Sequence, residues 1–122
     1  MLAMDDFAKE IAKALSEYTN EVTEGLDEAK KEVAKETAKT LKRTSPVGDY
    51  KGGGDYAKGW RAKKVGNGYV VHNKTDYQLT HLLEYGHAKR GGGRVQAYPH
   101  IEEAEEQAIE EYVDRAEKVI RG

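Results

Sequence analysis

Between residues 5 and 43 apolar side chains return every three or four positions, at Phe7, Ile11, Leu15, Tyr18, Val22, Leu26, Ala29 and Val33, with charged residues between them. That spacing predicts an amphipathic α-helix. The stretch has no proline, and Gly25 is its one breaker. Asp5 and Asp6 favour the positive N-terminus of such a helix, Lys42 and Arg43 favour the negative C-terminus, and Ser45-Pro46 stops it. At 1.5 Å per residue the helix would be roughly 60 Å long, about twice the width of a small domain. A body built from the remaining chain can cover only part of that stripe. Either the helix bends near Thr19-Asn20 or Gly25 and completes its own core, or its N-terminal half leaves the body and packs on another chain.

The pattern then changes. Ser45 to Asp55 contains one proline, four glycines and two aspartates, which oppose any regular element and predict a mobile surface loop. Ala57 to Val65 and Tyr69 to Asn73 flank Gly66-Asn67-Gly68, a triplet that tolerates positive φ, and together they predict a β-hairpin. Trp60 and Ala62 would share its inner face, with Arg61, Lys63 and Val65 on the other. After Asp76, a candidate N-cap, Leu79, Leu82 and Leu83 predict a short helix ending at Gly86. A second glycine-rich loop, His87 to Arg94, also expected to be weakly ordered, leads to a short predicted strand Val95 to Tyr98 that Pro99 ends. From His100, the row Ile101, Ala104, Ala108, Tyr112, Ala116 and Ile120 predicts a final helix with Glu102 and Glu103 in its first turn. The order points to one α+β domain over residues 1–122: a long N-terminal helix (1–43), then a body (44–122) with a small antiparallel sheet, a short helix and a C-terminal helix packed on it. Its core is expected to draw on Trp60, Val71, Leu79, Leu82, Leu83, Ile101, Ala104, Ala108 and Tyr112.

Charge sharpens this picture. The net charge is −2, yet residues 1–41 hold ten acids and six bases, residues 42–94 four acids and eleven bases, and residues 95–122 eight acids and three bases. A basic middle between acidic ends suits a subunit that offers one sign to one neighbour and the other sign to a second neighbour or to DNA; alternatively, the two surfaces neutralise each other within a monomer. No apolar run reaches the ~20 residues of a membrane helix, and the acidic start lacks the basic flank of a signal peptide, so the expected compartment is the cytoplasm.

The chain contains no cysteine, which removes disulfides, thiolate metal sites and cysteine nucleophiles. His81, Glu84 and His87 are three residues apart, a spacing that invites a metal site. On a helix, however, they spread over about 120° of arc, and Gly86 would end the helix before His87. The plainer reading has Glu84 cap the loop and makes His81 a surface residue. His72 and His100 have no nucleophile beside them in sequence. No catalytic, cofactor-binding or metal-binding residue is assigned, and the chain reads as a non-enzyme.

Two short runs carry a resemblance. Leu83-Glu84-Tyr85-Gly86, within Tyr77 to His87, and Ala97-Tyr98-Pro99-His100, followed by Ile101 and Ala104, occur in the order seen in the phage "gene product ten" tail-component family, named for a Hong Kong siphophage. Ser45-Pro46-Val47 and the glycine after it also resemble that family's approach to its hairpin. The likeness covers roughly residues 43–120, and the glycine-rich insertion at 48–55 is longer than in many relatives. Members of the family are described as tail-completion or head-tail joining proteins.

The resemblance implies a homo-oligomeric ring, hexameric, at the neck or top of a virion tail, beside other neck and tail proteins and open to DNA through its channel. Within that frame Phe7, Ile11, Leu15 and Tyr18 are the expected assembly surface, and Lys89, Arg90 and Arg94 the expected channel or DNA-facing loop. A second reading is a small nucleic-acid-binding module in which Lys89 to Arg94 and Arg61 to Lys64 contact phosphates and Trp60 stacks on a base. Against it, the pI is near 6.1 and Trp60 is better placed in the core.

Overall fold

The computed structural model describes residues 4–47 and 54–122, with side chains of the first helix described from Ala8 onward. Helix α1 (Met4–Thr44) runs unbroken for 41 residues. It is followed by a single turn, α2 (Asp55–Lys58), the hairpin β1 (Trp60–Val65) and β2 (Gly68–Asn73), helix α3 (Leu79–Tyr85), the two-residue strands β3 (His87–Ala88) and β4 (Arg94–Val95), and helix α4 (Ile101–Arg121). The architecture is α+β, with long terminal helices and two separate two-stranded antiparallel sheets.

Of the two courses the sequence leaves open, the fold-back near Thr19-Asn20 or Gly25 is not taken, and α1 continues as one helix through both. α4 lies antiparallel along the C-terminal two thirds of α1, and Gly25 is a contact point: a Cβ there would lie 2.6 Å from Val119 Cγ1. Glycine in a helix interior costs about 1 kcal/mol relative to alanine, and here its missing side chain makes room for the end of α4. Further along the pair, Arg115 Nη2 donates to Glu36 Oε1 at 3.0 Å and to Glu111 Oε1 at 2.9 Å. Tyr18 Oη donates to the Ile120 carbonyl at 3.1 Å, which marks where α4 stops covering α1.

Burial along α1 follows this coverage. Residues 8–21 are all exposed, whereas Ala29, Val33, Ala34, Ala38 and Leu41 are buried. The core is a cluster of Ala38, Leu41, Tyr56, Trp60 and Ala104, with Ala62, Val71, Leu79, Leu83 and Ile101 packed around it. Trp60 pairs with Asn73 and Ala62 with Val71 across the hairpin, so the inner face is as the alternation predicts, with Arg61 and Lys63 outside. Leu82, expected in the core, is instead exposed, because α3 has only seven residues and turns Leu79 and Leu83 inward. Ala108 and Tyr112 are half-buried rather than core, since they line an open groove.

Three local readings are corrected. Ala57 belongs to the turn of helix α2 and not to the first strand, which begins at Trp60 after Gly59. Asp76 does not cap α3 with its side chain; its backbone carbonyl accepts from Leu79 N, and Gln78 at the N-cap makes no side-chain cap. The strand expected over Val95 to Tyr98 is reduced to Arg94–Val95 paired with His87–Ala88, because the Tyr98 amide donates to Leu83 O at 2.7 Å and Pro99 has no amide to offer.

The second glycine loop, expected to be weakly ordered, is the turn of this small hairpin. It is closed by Lys89 N to Gly93 O at 2.9 Å and Gly92 N to Lys89 O at 3.2 Å, with positive φ at Gly92 and Gly93. Residues 48–53 of the first glycine loop lie outside the described residues.

Candidate functional site

The two motif runs meet at the N-terminus of α4. A helix start leaves backbone N–H groups without intrahelical acceptors and carries a partial positive charge. Glu84, at the end of α3, supplies a carboxylate to them: Oε1 accepts from His100 N at 2.7 Å and Ile101 N at 2.8 Å, and Oε2 accepts from Glu102 N at 3.0 Å. The side chain is buried. Burial alone would raise its pKa, but the three amides, with His100 beside them, outweigh this and hold the carboxyl below the ordinary glutamate value.

His100 extends the arrangement. Its Nδ1 lies 2.6 Å from Tyr98 O and 3.2 Å from Glu84 Oε1, both acceptors, which assigns the ring proton to Nδ1. Nε2 is then free to accept from the Tyr56 hydroxyl at 2.7 Å. Burial, and next the Glu84 charge, push the Tyr56 phenol well above its usual pKa and keep it protonated. Tyr56, Trp60 and His100 meet edge-on, with ring centroids 5.6 to 6.4 Å apart. Trp60 Nε1 donates to Ser45 Oγ at 2.8 Å, and that hydroxyl donates to Leu41 O in the last turn of α1. Asn73 anchors the other side, donating from Nδ2 to Tyr56 O at 2.7 Å and accepting from Asp76 N at 2.8 Å.

This network ties α1, α2, the hairpin, α3 and α4 together. Both Glu84 oxygens accept from backbone amides at the start of α4. Gly86, the last residue of Leu83-Glu84-Tyr85-Gly86, has φ of 73°, and a Cβ there would sit 2.5 Å from Val95 O, so only glycine lets β4 pass this close. Pro99 precedes His100 in extended chain just ahead of α4.

Among the described residues no group of three His, Cys, Asp or Glu side chains is placed to hold a metal ion. His81 is exposed and packs at a tilt against the Tyr85 ring, centroids 4.9 Å apart, with Glu84 committed to α4.

The residues proposed from sequence for contact are elsewhere. Ile11, Leu15 and Tyr18 are 46%, 61% and 52% exposed on the free end of α1, on the helical face that carries Ala29 further along. Phe7 is on the helix, its side chain outside the described residues. Lys89 and Arg90 are exposed on the β3–β4 turn, while Arg94 Nη2 donates to Tyr85 O at 3.1 Å, a cation at the negative end of α3. Trp60, the candidate base-stacking residue, is buried at 3% exposure.

Sequence reasoning missed Tyr56, Ser45 and Asn73. The Tyr56-Ala57 pair ahead of Trp60 is the one local signal, an apolar group after the glycines. It also missed the open groove of about 500 Å³ between α1, the hairpin and α4, walled by residues such as Val33, Leu41, Val71, Ile101, Ala108 and Tyr112.

No helix among the described residues is long and apolar enough to cross a membrane. No curated protein and no solved structure gives a significant match to the chain. A family profile described as "Bacteriophage HK97-gp10, putative tail-component" matches residues 7–86, which takes in nearly all of α1, the hairpin and Leu83 to Gly86 and stops short of Ala97 to His100. With most of the long helix, the hairpin and α3 inside that match, the chain belongs to the HK97 gp10-like family of bacteriophage tail components.

Proposed function

We propose that the chain is a subunit of a tail-completion or head-tail joining ring, at the neck or top of the tail in the virion, that acts by assembly and not by catalysis. The observation that carries this reading is the free end of α1. Residues 8–17 extend past the end of α4 as helix for roughly 15 Å, with Ile11 and Leu15 exposed on one face and Tyr18, also exposed, at its base where it meets Ile120. An exposed apolar row of this kind marks a surface that a neighbouring protein covers. The buried network supports the same reading from the other side, since its polar groups hold elements in place.

In such a ring Lys89 and Arg90, on a short turn, are the groups best placed to meet DNA phosphates without reading sequence. The stand-alone nucleic-acid module has less support, because Trp60 is enclosed by Tyr56, His100 and Ser45. The reading is tested by deleting the gene in the phage that carries it. Electron microscopy of the lysate should show filled heads and tails unjoined, restored by supplying the chain in trans. Normal infectious virions from the deletion would overturn it.

A further inference from the structure

The free end of α1 and the groove sit at opposite ends of the same molecule. Leu15 lies eighteen positions before Val33 on one continuous helix, a separation of roughly 27 Å, so the apolar row cannot reach its own groove. Taking the ring reading as its basis, we propose that the start of α1 of one copy lies in the groove between α1, the hairpin and α4 of a second copy. The contact is head-to-tail, which closes into a ring when the rotation between copies allows it.

Three features fit this occupant. The first is size: an apolar cavity of about 150 Å³ accepts one benzene-sized group, so a groove of about 500 Å³ takes about three side chains of the size of Ile11, Leu15 and Tyr18. The second is continuity. Beyond Ala108 and Tyr112 the α4 wall runs outward into Ile109 and Val113, 56% and 50% exposed, which extends the apolar bed along a docked helix.

The third is charge. The cations beside the groove are Lys30, on its α1 wall, and Lys64, which is exposed and pairs across the hairpin with Tyr69 of the groove wall, whereas Arg61 and Lys63 are on the hairpin's outer face. Residues 5–21 carry five acids and two bases, and Glu10, Glu17 and Glu21 fall on one flank of the helix, beside the apolar row. An apolar strip with an acidic flank would therefore meet an apolar bed edged by Lys30 and Lys64, with Glu105 the acid in its lining.

The absence of cysteine makes the test clean. Leu15→Cys and Ala108→Cys are purified separately, checked for a cooperative melt, mixed at a series of concentrations and oxidised mildly. A disulfide needs α-carbons within about 7 Å, so a link reports the contact directly. The mixture should give a thiol-reversible two-chain product at least tenfold above either variant alone, and 1 M salt should reduce it. Ile109→Cys, on the exposed continuation of the bed, replaces Ala108→Cys if that variant does not fold.

No mixed product at any concentration overturns the proposal, as does a product from Leu15→Cys alone, which would mean that two free ends pair with each other. Rings of full mass without the mixed link would sink this contact and leave the tail-completion reading standing. A mixed link in a chain that the phage does not need for joining heads to tails would sink that reading and leave the contact.

Discussion

Glu84 reaches across sixteen residues of sequence to His100, whose backbone amide its Oε1 accepts at 2.7 Å while the His100 ring lies 3.2 Å from the same oxygen. One carboxylate thus sets where α4 begins and which way the imidazole faces. Because α4 is the helix that covers α1, this contact determines how much of α1 is left free.

Replacing Glu84 with alanine would leave three buried amides without acceptors, each a loss on the order of 1 kcal/mol or more. Glu84→Ala is expected to lower unfolding free energy by about 2–4 kcal/mol in urea titration, and Glu84→Gln by less, since its amide oxygen still accepts. A loss below about 0.5 kcal/mol for the alanine variant would mean that water or another side chain replaces the cap.

The same residue gives a pH dependence of defined sign. Its folded pKa is depressed, so the unfolded state binds the proton more readily; the stabilisation is present above the unfolded value of about 4.3 and is lost as pH falls through the folded one. Glu84→Gln should flatten stability against pH in that acid window relative to wild type. Parallel acid limbs for the two proteins would assign the dependence to other carboxylates.

Gly86 stands where φ is positive and a Cβ would meet the Val95 carbonyl. Gly86→Ala is expected to cost more than about 1 kcal/mol and to raise amide exchange in Arg94 and Val95 before the rest of the body. A stability equal to wild type would show that β4 can move aside at no cost.

Gly25 and Val119 should behave as a coupled pair. Alanine at 25 gains helix propensity of about 1 kcal/mol but presses on Val119 Cγ1, whereas in a Val119→Ala background the pressure is gone. The double-mutant cycle should show a favourable coupling of about 0.5–2 kcal/mol. Additive effects would indicate that the end of α4 simply shifts.

Removing residues 1–18 should leave a body with a cooperative melt and abolish association, because residues 8–18 are all exposed and Tyr18 makes its bond to Ile120 through one hydroxyl. Loss of the cooperative melt would return this segment to the core of the body and overturn its role in assembly.

The long helix was legible because its stripe repeats over many turns, and the limit of its coverage followed from length alone. Which half stays free was legible too, since the rest of the chain follows the helix's C-terminus. The network around Glu84 was not. Leu83 to Gly86 and Ala97 to His100 stood out as short runs, but nothing within either shows that a carboxylate in one caps a helix that starts in the other. Tyr56 was hidden for a similar reason: its partners, His100 and the Trp60 ring, come together only when α2 folds as a turn that strand-like alternation from Ala57 does not suggest. The strand expected at Val95 to Tyr98 failed because its partner has two residues, and the next amide is taken by Leu83 O.

The unbroken course of α1 past the last residue of α4 separates two kinds of mutation. A substitution after Val22 is felt by the body, and one that unfolds it removes the protein before any neighbour meets it. A substitution among the exposed positions from Ala8 to Glu21 removes no buried contact and is expected to leave folding almost untouched. Under the proposed assembly role, those positions form a segment whose docking can be altered residue by residue while the scaffold behind it stays the same.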